Sequence, residues 1–146
     1  MPSKITLNTV KDTRKWAAEF AKTLHAPVTV ALHGDLGMGK SEIARTIIQT
    51  LCGCDTTVPS PTFTIVQEYT ALCATPIGGA QISHFDLYRI TDESELEEIG
   101  LRHACDNNIT LIEWPEIATG ILPPDTIHIY IAESESGGRK IKILKS

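Results

Sequence analysis

Gly34-Asp35-Leu36-Gly37-Met38-Gly39-Lys40-Ser41 is the stretch on which the fold turns. An apolar run from Val28 to Leu32 precedes it, with the length and character of a buried parallel strand. After it, Ile43, Ala44, Ile47, Ile48 and Leu51 trace one face of a helix that stops near Gly53. Strand, glycine-rich turn and helix in that order define a phosphate-binding loop, and the stretch satisfies G-x-x-x-x-G-K-[ST] in full. The glycines let successive backbone N–H groups curl toward phosphate oxygens. The helix that starts near Lys40 adds its partial positive end. In this pattern Lys40 is expected to reach the β- and γ-phosphates of a nucleotide, and the Ser41 hydroxyl to ligate Mg²⁺.

Outward from the loop, strands and helices alternate. Ile5 to Leu7 reads as a short strand, and Thr9 to Asp12 has capping-box spacing for a helix start. Trp16, Phe20 and Leu24, with Ala17 and Ala21 beside them, make a buried helical stripe that Pro27 closes. Beyond the loop helix, residues 57–61 read as loop, and Phe63 to Tyr69 and Ile82 to Leu87 as a hairpin across the Pro76-Ile77-Gly78-Gly79 turn. Asp92 to Ile99 is expected to be an acidic helix, and Ile109 to Ile112 a second buried strand ended by Glu113-Trp114-Pro115. Thr126 to Ala132 and Lys140 to Leu144 are strands joined by Gly137-Gly138. The expected fold is α/β: one P-loop NTPase domain over residues 1–146, with a mostly parallel central sheet, antiparallel additions and flanking helices.

Composition narrows the function. The 146 residues are 42% hydrophobic, enough for a core, and carry a net charge of -5 with no long basic run. The main ligand is therefore expected to be a small anion held by local geometry, not a nucleic acid held by a basic stripe. Cysteines 52, 54, 73 and 105 form no zinc pattern and read as free thiols of a reducing cytoplasm. The first residues lack a signal-peptide core, and no apolar run approaches a membrane span, so a cytoplasmic protein without membrane contact is expected.

A P-loop ATPase needs a second anchor for Mg²⁺, and Asp86 and Glu113 each end a strand. Carboxyl ends of parallel strands surround the ligand crevice, so both can face the phosphates. Ser60-Pro61-Thr62-Phe63-Thr64 offers hydroxyls after the loop helix, as switch loops do. Trp114 reads either as a core residue, which bare sequence favours, or as a cover for the site. The acidic cluster from Asp92 to Glu98 reads as a solvated helix face or as a partner surface. No Asn-Lys-x-Asp string is present, which favours ATP over GTP, and no Leu-Ser-Gly-Gly string marks a transporter ATPase. A small-molecule kinase and a module that holds ATP without turnover stand as other readings of the loop.

Several further stretches occur in order with the loop: Ser60-Pro61-Thr62-Phe63, His84-Phe85-Asp86-Leu87-Tyr88-Arg89, Glu97-Glu98-Ile99-Gly100 and Glu113-Trp114-Pro115-Glu116. Together they resemble the TsaE family, also called YjeE, of bacterial tRNA threonylcarbamoyladenosine biosynthesis. The resemblance runs from the first helix to Gly138-Arg139. It implies an ATPase that acts with TsaD and TsaB, which attach the threonylcarbamoyl group to ANN-reading tRNAs. TsaE itself transfers no group, and it meets tRNA only through that complex. The implied cofactors are ATP and Mg²⁺. Carried over by motif, Ser41 and Glu113 are the implied Mg²⁺ ligands, and Asp86 is an essential acid near the γ-phosphate and a further candidate ligand. Lys40, Asp86 and Glu113 form the implied catalytic set. The implied nucleotide contacts are Asp35, Leu36, Gly37, Met38, Gly39, Lys40 and Ser41 from the loop, with Thr62, and with Val10, Thr13 and Arg139 from stretches that flank the adenine. Ser41 stands where Thr is commoner and keeps the hydroxyl. Met38 replaces a usual small residue and brings bulk toward the γ-phosphate.

Overall fold

The computed structural model describes residues 3–35, 37–53, 58, 65–70 and 81–145. The expectations for Leu36, Thr62 and the rest of 59–64, Cys54, Cys73 and the 76–79 turn lie outside the described residues. In chain order the elements are β1 (Ser3–Leu7), α1 (Val10–Ala21), β2 (Val28–His33), α2 (Lys40–Cys52), β3 (Val66–Thr70), β4 (Gln81–Asp86), α3 (Glu95–Glu98), α4 (Leu101–Asn107), β5 (Ile109–Glu113), β6 (Ile127–Glu133) and β7 (Arg139–Lys145). A 3₁₀ turn at Pro115–Ala118 follows β5.

The strands form one seven-stranded mixed sheet in the order β1-β7-β6-β2-β5-β4-β3. The central four, β6-β2-β5-β4, are mutually parallel, and β1, β7 and β3 pair antiparallel with their neighbours. Parallel and antiparallel pairings are thus equal in number, so the sheet is mixed where the sequence suggested a mostly parallel one. The parallel part is confined to the centre, because only there do helices cover both faces. All five residues of β5 are buried accordingly. On one face Val30, Leu32, Ile109, Leu111 and Ile129 pack with Ala17 and Ala21 of α1 and with Ile43, Ile47 and Leu51 of α2. On the other, Phe85 and Ile112 pack with Leu96, Leu101, Ala104 and Ala118.

Local chemistry explains most element ends. The Thr9 hydroxyl accepts from Asp12 N at 3.0 Å and caps α1, as the capping box anticipated. That helix stops before Leu24, because the Thr23 hydroxyl donates to the Phe20 carbonyl at 2.7 Å and satisfies a terminal acceptor. Leu24 still reaches the core, buried, from the following turn. The expected acidic helix is also shorter, a single turn at Glu95–Glu98. The Asp92 carboxylate accepts from both Ser94 N and Ser94 Oγ at 2.9 Å and holds a turn there. Gly100, with φ of 78°, then breaks the chain into α4, which the acidic pattern concealed. β3 and β4 pair antiparallel as expected, with β3 beginning only at Val66 because Ile65 takes a positive φ of 67°.

Gly138 lets the end of β1 close against β7. A Cβ at this position would meet the Leu7 carbonyl oxygen and come within 2.8 Å of Asn8 Cα. Both are backbone atoms, so neither can rotate away. Gly138→Ala is expected to cost about 1–3 kcal/mol through this overpacking. Urea unfolding should show a lower midpoint with little change in slope, and an unchanged midpoint would mean that β1 gives way freely.

Candidate active site

The loop between β2 and α2 depends on glycine for one close approach and for two positive-φ positions. At Gly34 a Cβ would lie 2.8 Å from the Ile131 carbonyl oxygen. Gly37 and Gly39 have φ of 82° and 102°, and Gly39 opens α2 by accepting from Ile43 N at 3.1 Å. Met38 N donates to the Asp35 carbonyl at 3.2 Å. Arg139, at the start of β7, donates from Nε to the Met38 carbonyl at 3.0 Å and from Nη2 to the Gly37 carbonyl at 3.4 Å. The loop is thereby tied to β7, two strands from β2 in the sheet.

Lys40 and Ser41, the first residues of α2, meet the strand-end acids. Glu113 is 2% exposed. Its Oε1 accepts from the Ser41 hydroxyl at 2.8 Å, and its Oε2 bonds His84 Nε2 at 2.6 Å. A buried carboxylate must be paired to persist, and these partners pair it from α2 and from β4. Lys40, 5% exposed, donates Nζ to the Gly34 carbonyl and sits 3.2 Å from the centre of the Trp114 ring. Burial pulls its ammonium below the ordinary lysine range, while Glu113, Glu116, Asp86 and Asp35 pull it back up. Asp86 stands opposite Glu113 in the β4–β5 register and is half-buried. Burial pushes its carboxyl up, the Tyr88 N–H at 3.0 Å opposes that, and the Glu113 charge reinforces it.

Trp114 takes a left-handed conformation, with φ of 56°. That turn carries the chain from β5 into the 3₁₀ segment and lays the indole over Lys40 and against the Tyr88 ring, 4.9 Å between centroids. The residue is half-buried and covers the loop lysine, the reading that bare sequence had placed second.

Beside the loop lies a cavity of about 280 Å³. Val10, Thr13, Gly37, Met38, Gly39 and Arg139 all line it, so the residues assigned to the adenine flank and to the loop come together. Asp35 is exposed at the loop's rim, and Lys40, Ser41, Asp86 and Glu113 gather at the ends of β4 and β5. His84, Trp114 and Glu42 belong to the same region without having been singled out as site residues. Glu42 lines the cavity and pairs with Arg14 and with Arg45, the latter at 2.8 Å. Strand period two was the available signal for His84, since 82, 84 and 86 share one face of β4.

The donor set suits Mg²⁺. A serine hydroxyl and a carboxylate, 2.8 Å apart, are hard oxygen ligands. Among the described residues no group of three or more His, Cys, Asp or Glu side chains could hold a metal. Mg²⁺ commonly binds through one or two protein ligands and completes its shell with phosphates and waters. Ser41 and Glu113 are the residues that could hold such an ion, with Asp86 adjacent.

A strand–glycine loop–helix element with a lysine and a paired carboxylate at its mouth, set in a seven-stranded mixed sheet, defines a single α/β domain. The family model described as "Threonylcarbamoyl adenosine biosynthesis protein TsaE" matches residues 7–141, and the chain belongs to that family. Relatives named tRNA threonylcarbamoyladenosine biosynthesis protein TsaE bear this out. The Rickettsia bellii protein is 41% identical over 127 residues, covering 87% of this chain and 84% of its own. The Haemophilus influenzae protein is 43% identical over 117 residues, 78% and 70% of the two chains. The Bacillus subtilis protein is 34% identical over 128 residues, 87% and 73%. The crystal structure of Bacillus subtilis YdiB superposes with a TM-score of 0.76 at 23% identity, covering 99% of this chain and 86% of that one, and supports the same fold. The chain is thus a protein of the tRNA threonylcarbamoyladenosine system. No helix among its described residues is long and apolar enough to cross a membrane.

The Asp86 environment sets a pH signature for the ligand-free protein. An acid whose folded value is raised favours the protonated form, so the fold loses stability as pH rises from the ordinary carboxylate value through the raised one. Asp86→Asn removes that penalty. Thermal unfolding without ligand should show the variant at least as stable as wild type at pH 7, with the difference closing as pH falls below that window. A variant less stable at pH 7 would mean that the Asp86 charge is net favourable in the fold.

Proposed function

We propose that this chain is a magnesium-dependent P-loop ATPase that serves threonylcarbamoyladenosine modification of tRNA. The observation that carries the proposal is the Ser41–Glu113 hydrogen bond of 2.8 Å beside the buried Lys40, at the mouth of a glycine loop. Family membership supplies the pathway. In this reading the adenosine lies in the cavity between Val10, Thr13 and Arg139, and the phosphates thread the 34–41 loop. Magnesium, when bound, would supply charge neutralisation for the phosphates. Lys40 leaves the Gly34 carbonyl for the phosphates, where a fixed cation offsets charge developing on the transferred group. Ser41 and Glu113 hold the ion, and Asp86 orients the attacking water at the same mouth.

The partners in this reading are TsaD and TsaB, with tRNA met through their complex in the cytoplasm. The net charge of -5 supports weak tRNA affinity for the chain alone. Arg89 follows Asp86 by three residues in sequence and is exposed, and it is the arginine that this reading would have act in cis. No motif supplies a dedicated arginine finger, and one provided in trans can accelerate related enzymes by about 10³–10⁵.

Lys40→Ala is expected to lower ATP turnover by roughly 100-fold or more, by analogy with loss of one preorganised charge stabiliser. Glu113→Gln should raise the Mg²⁺ concentration for half-maximal hydrolysis. Steady-state phosphate release answers both, and wild-type rates in Lys40→Ala would sink the loop assignment. Hydrolysis by the wild-type chain should be slow alone, prefer ATP to GTP, and rise when purified TsaD and TsaB are added together. Full activity in isolation, unmoved by either partner, would favour a self-contained enzyme. Transfer of labelled phosphate to a small acceptor would make it a kinase.

A further inference from the structure

Glu113 has two carboxylate oxygens, and the structure divides them. Oε1 faces the Ser41 hydroxyl, and Oε2 faces His84 at 2.6 Å. His84 comes from β4, two residues before Asp86, which is the register partner of Glu113. The imidazole therefore reaches Glu113 diagonally along one face of the sheet. It is 1% exposed, among Ile82, Ile109 and Leu111, which are fully buried apolar neighbours in the register.

His84 is poorly explained by packing. Its Nδ1 is buried and has no hydrogen-bond partner among the described residues. An orphaned buried polar atom is a cost to folding that an apolar side chain would avoid. Such local violations persist where function holds them. Among the described residues the ring's hydrogen bond is to Glu113, a short bond to a carboxylate of the kind that fixes orientation as well as adding strength.

We propose that His84 is a positioning residue that aims the Glu113 carboxylate at the Ser41 hydroxyl and so sets the affinity of the site for Mg²⁺. The inference rests on the ATPase reading above and adds a residue that acts through Glu113 without touching nucleotide or metal. With Oε2 held by His84, the carboxylate plane is fixed and Oε1 stays directed at Ser41. Without that bond, the carboxylate is free to rotate away, and the ion loses a prepared ligand. Loss of such an outer contact typically lowers metal affinity by about 10–100-fold.

The test is binding of a fluorescent ATP analogue by the full chain, across a Mg²⁺ series and in EDTA. His84→Leu removes the contact. His84→Asn stays polar and is too short to reach Glu113, so it carries the test if the leucine variant fails to fold by circular dichroism. His84→Gln keeps an N–H near the reach of Nε2. Half-saturating Mg²⁺ is expected to rise about 10–100-fold in the leucine and asparagine variants, with affinity in EDTA unchanged and the glutamine variant close to wild type. Wild-type Mg²⁺ dependence in both the leucine and asparagine variants would overturn the positioning role. Parallel loss of affinity with and without Mg²⁺ would also overturn it and make His84 a structural residue. Absence of Mg²⁺-dependent binding in the wild-type chain would instead sink the ATPase reading, and this inference with it.

Discussion

The buried Glu113 carboxylate is the constraint around which the rest of the site is arranged. At 2% exposure it cannot rely on water, and an unpaired charge there would be expelled or neutralised. It is satisfied by the first turn of α2 through Ser41 and by β4 through His84. That requirement fixes three things together: the depth of the loop helix over the sheet, the β4–β5 register, and the adjacency of Asp86 and Glu113. The parallel centre of the sheet serves this arrangement, since β2, β5 and β4 end at the same level there and bring these groups together.

The loop groups satisfy one another. Lys40 bonds the Gly34 carbonyl and lies under Trp114, while Ser41 bonds Glu113. In the proposed reading a phosphate ligand replaces these contacts, so part of its binding free energy is offset by what it displaces. The compensation is preorganisation. Arg139 ties the loop to β7, and Gly138 admits β1 at the neighbouring edge of the cavity. The cavity is thus lined by residues from 7–13 and 131–141, closed against the loop residues Gly37 to Gly39.

Much of this was legible in the sequence, for reasons that are local. The 34–41 loop is read by residue type and spacing alone, and α2 by its apolar face from Ile43 to Leu51. The Thr9 cap and the two central strands carry equally local signals. What was not legible depends on contacts distant in sequence. α4 was hidden because Gly100 and the Asp92–Ser94 turn divide what looked like one acidic helix. Trp114 reads as core by hydrophobicity, and only its left-handed backbone sends the indole over Lys40. His84 was visible as part of a motif, but its bond to Glu113 spans 29 positions and appears only when β4 and β5 pair. Whether Asp86 or Glu113 stands beside Ser41 was likewise left open by strand-end position, and the register together with the 2.8 Å bond singles out Glu113.

Calorimetric titration of the wild-type chain with ATP, with and without Mg²⁺, bears most directly on the idea that Lys40, Ser41 and Glu113 form a nucleotide–magnesium site. One saturable site whose dissociation constant tightens by about tenfold or more with Mg²⁺, equivalent to roughly 1.4 kcal/mol, is the expected result. Equal affinity in the presence and absence of Mg²⁺, or no saturable binding at all, would contradict it.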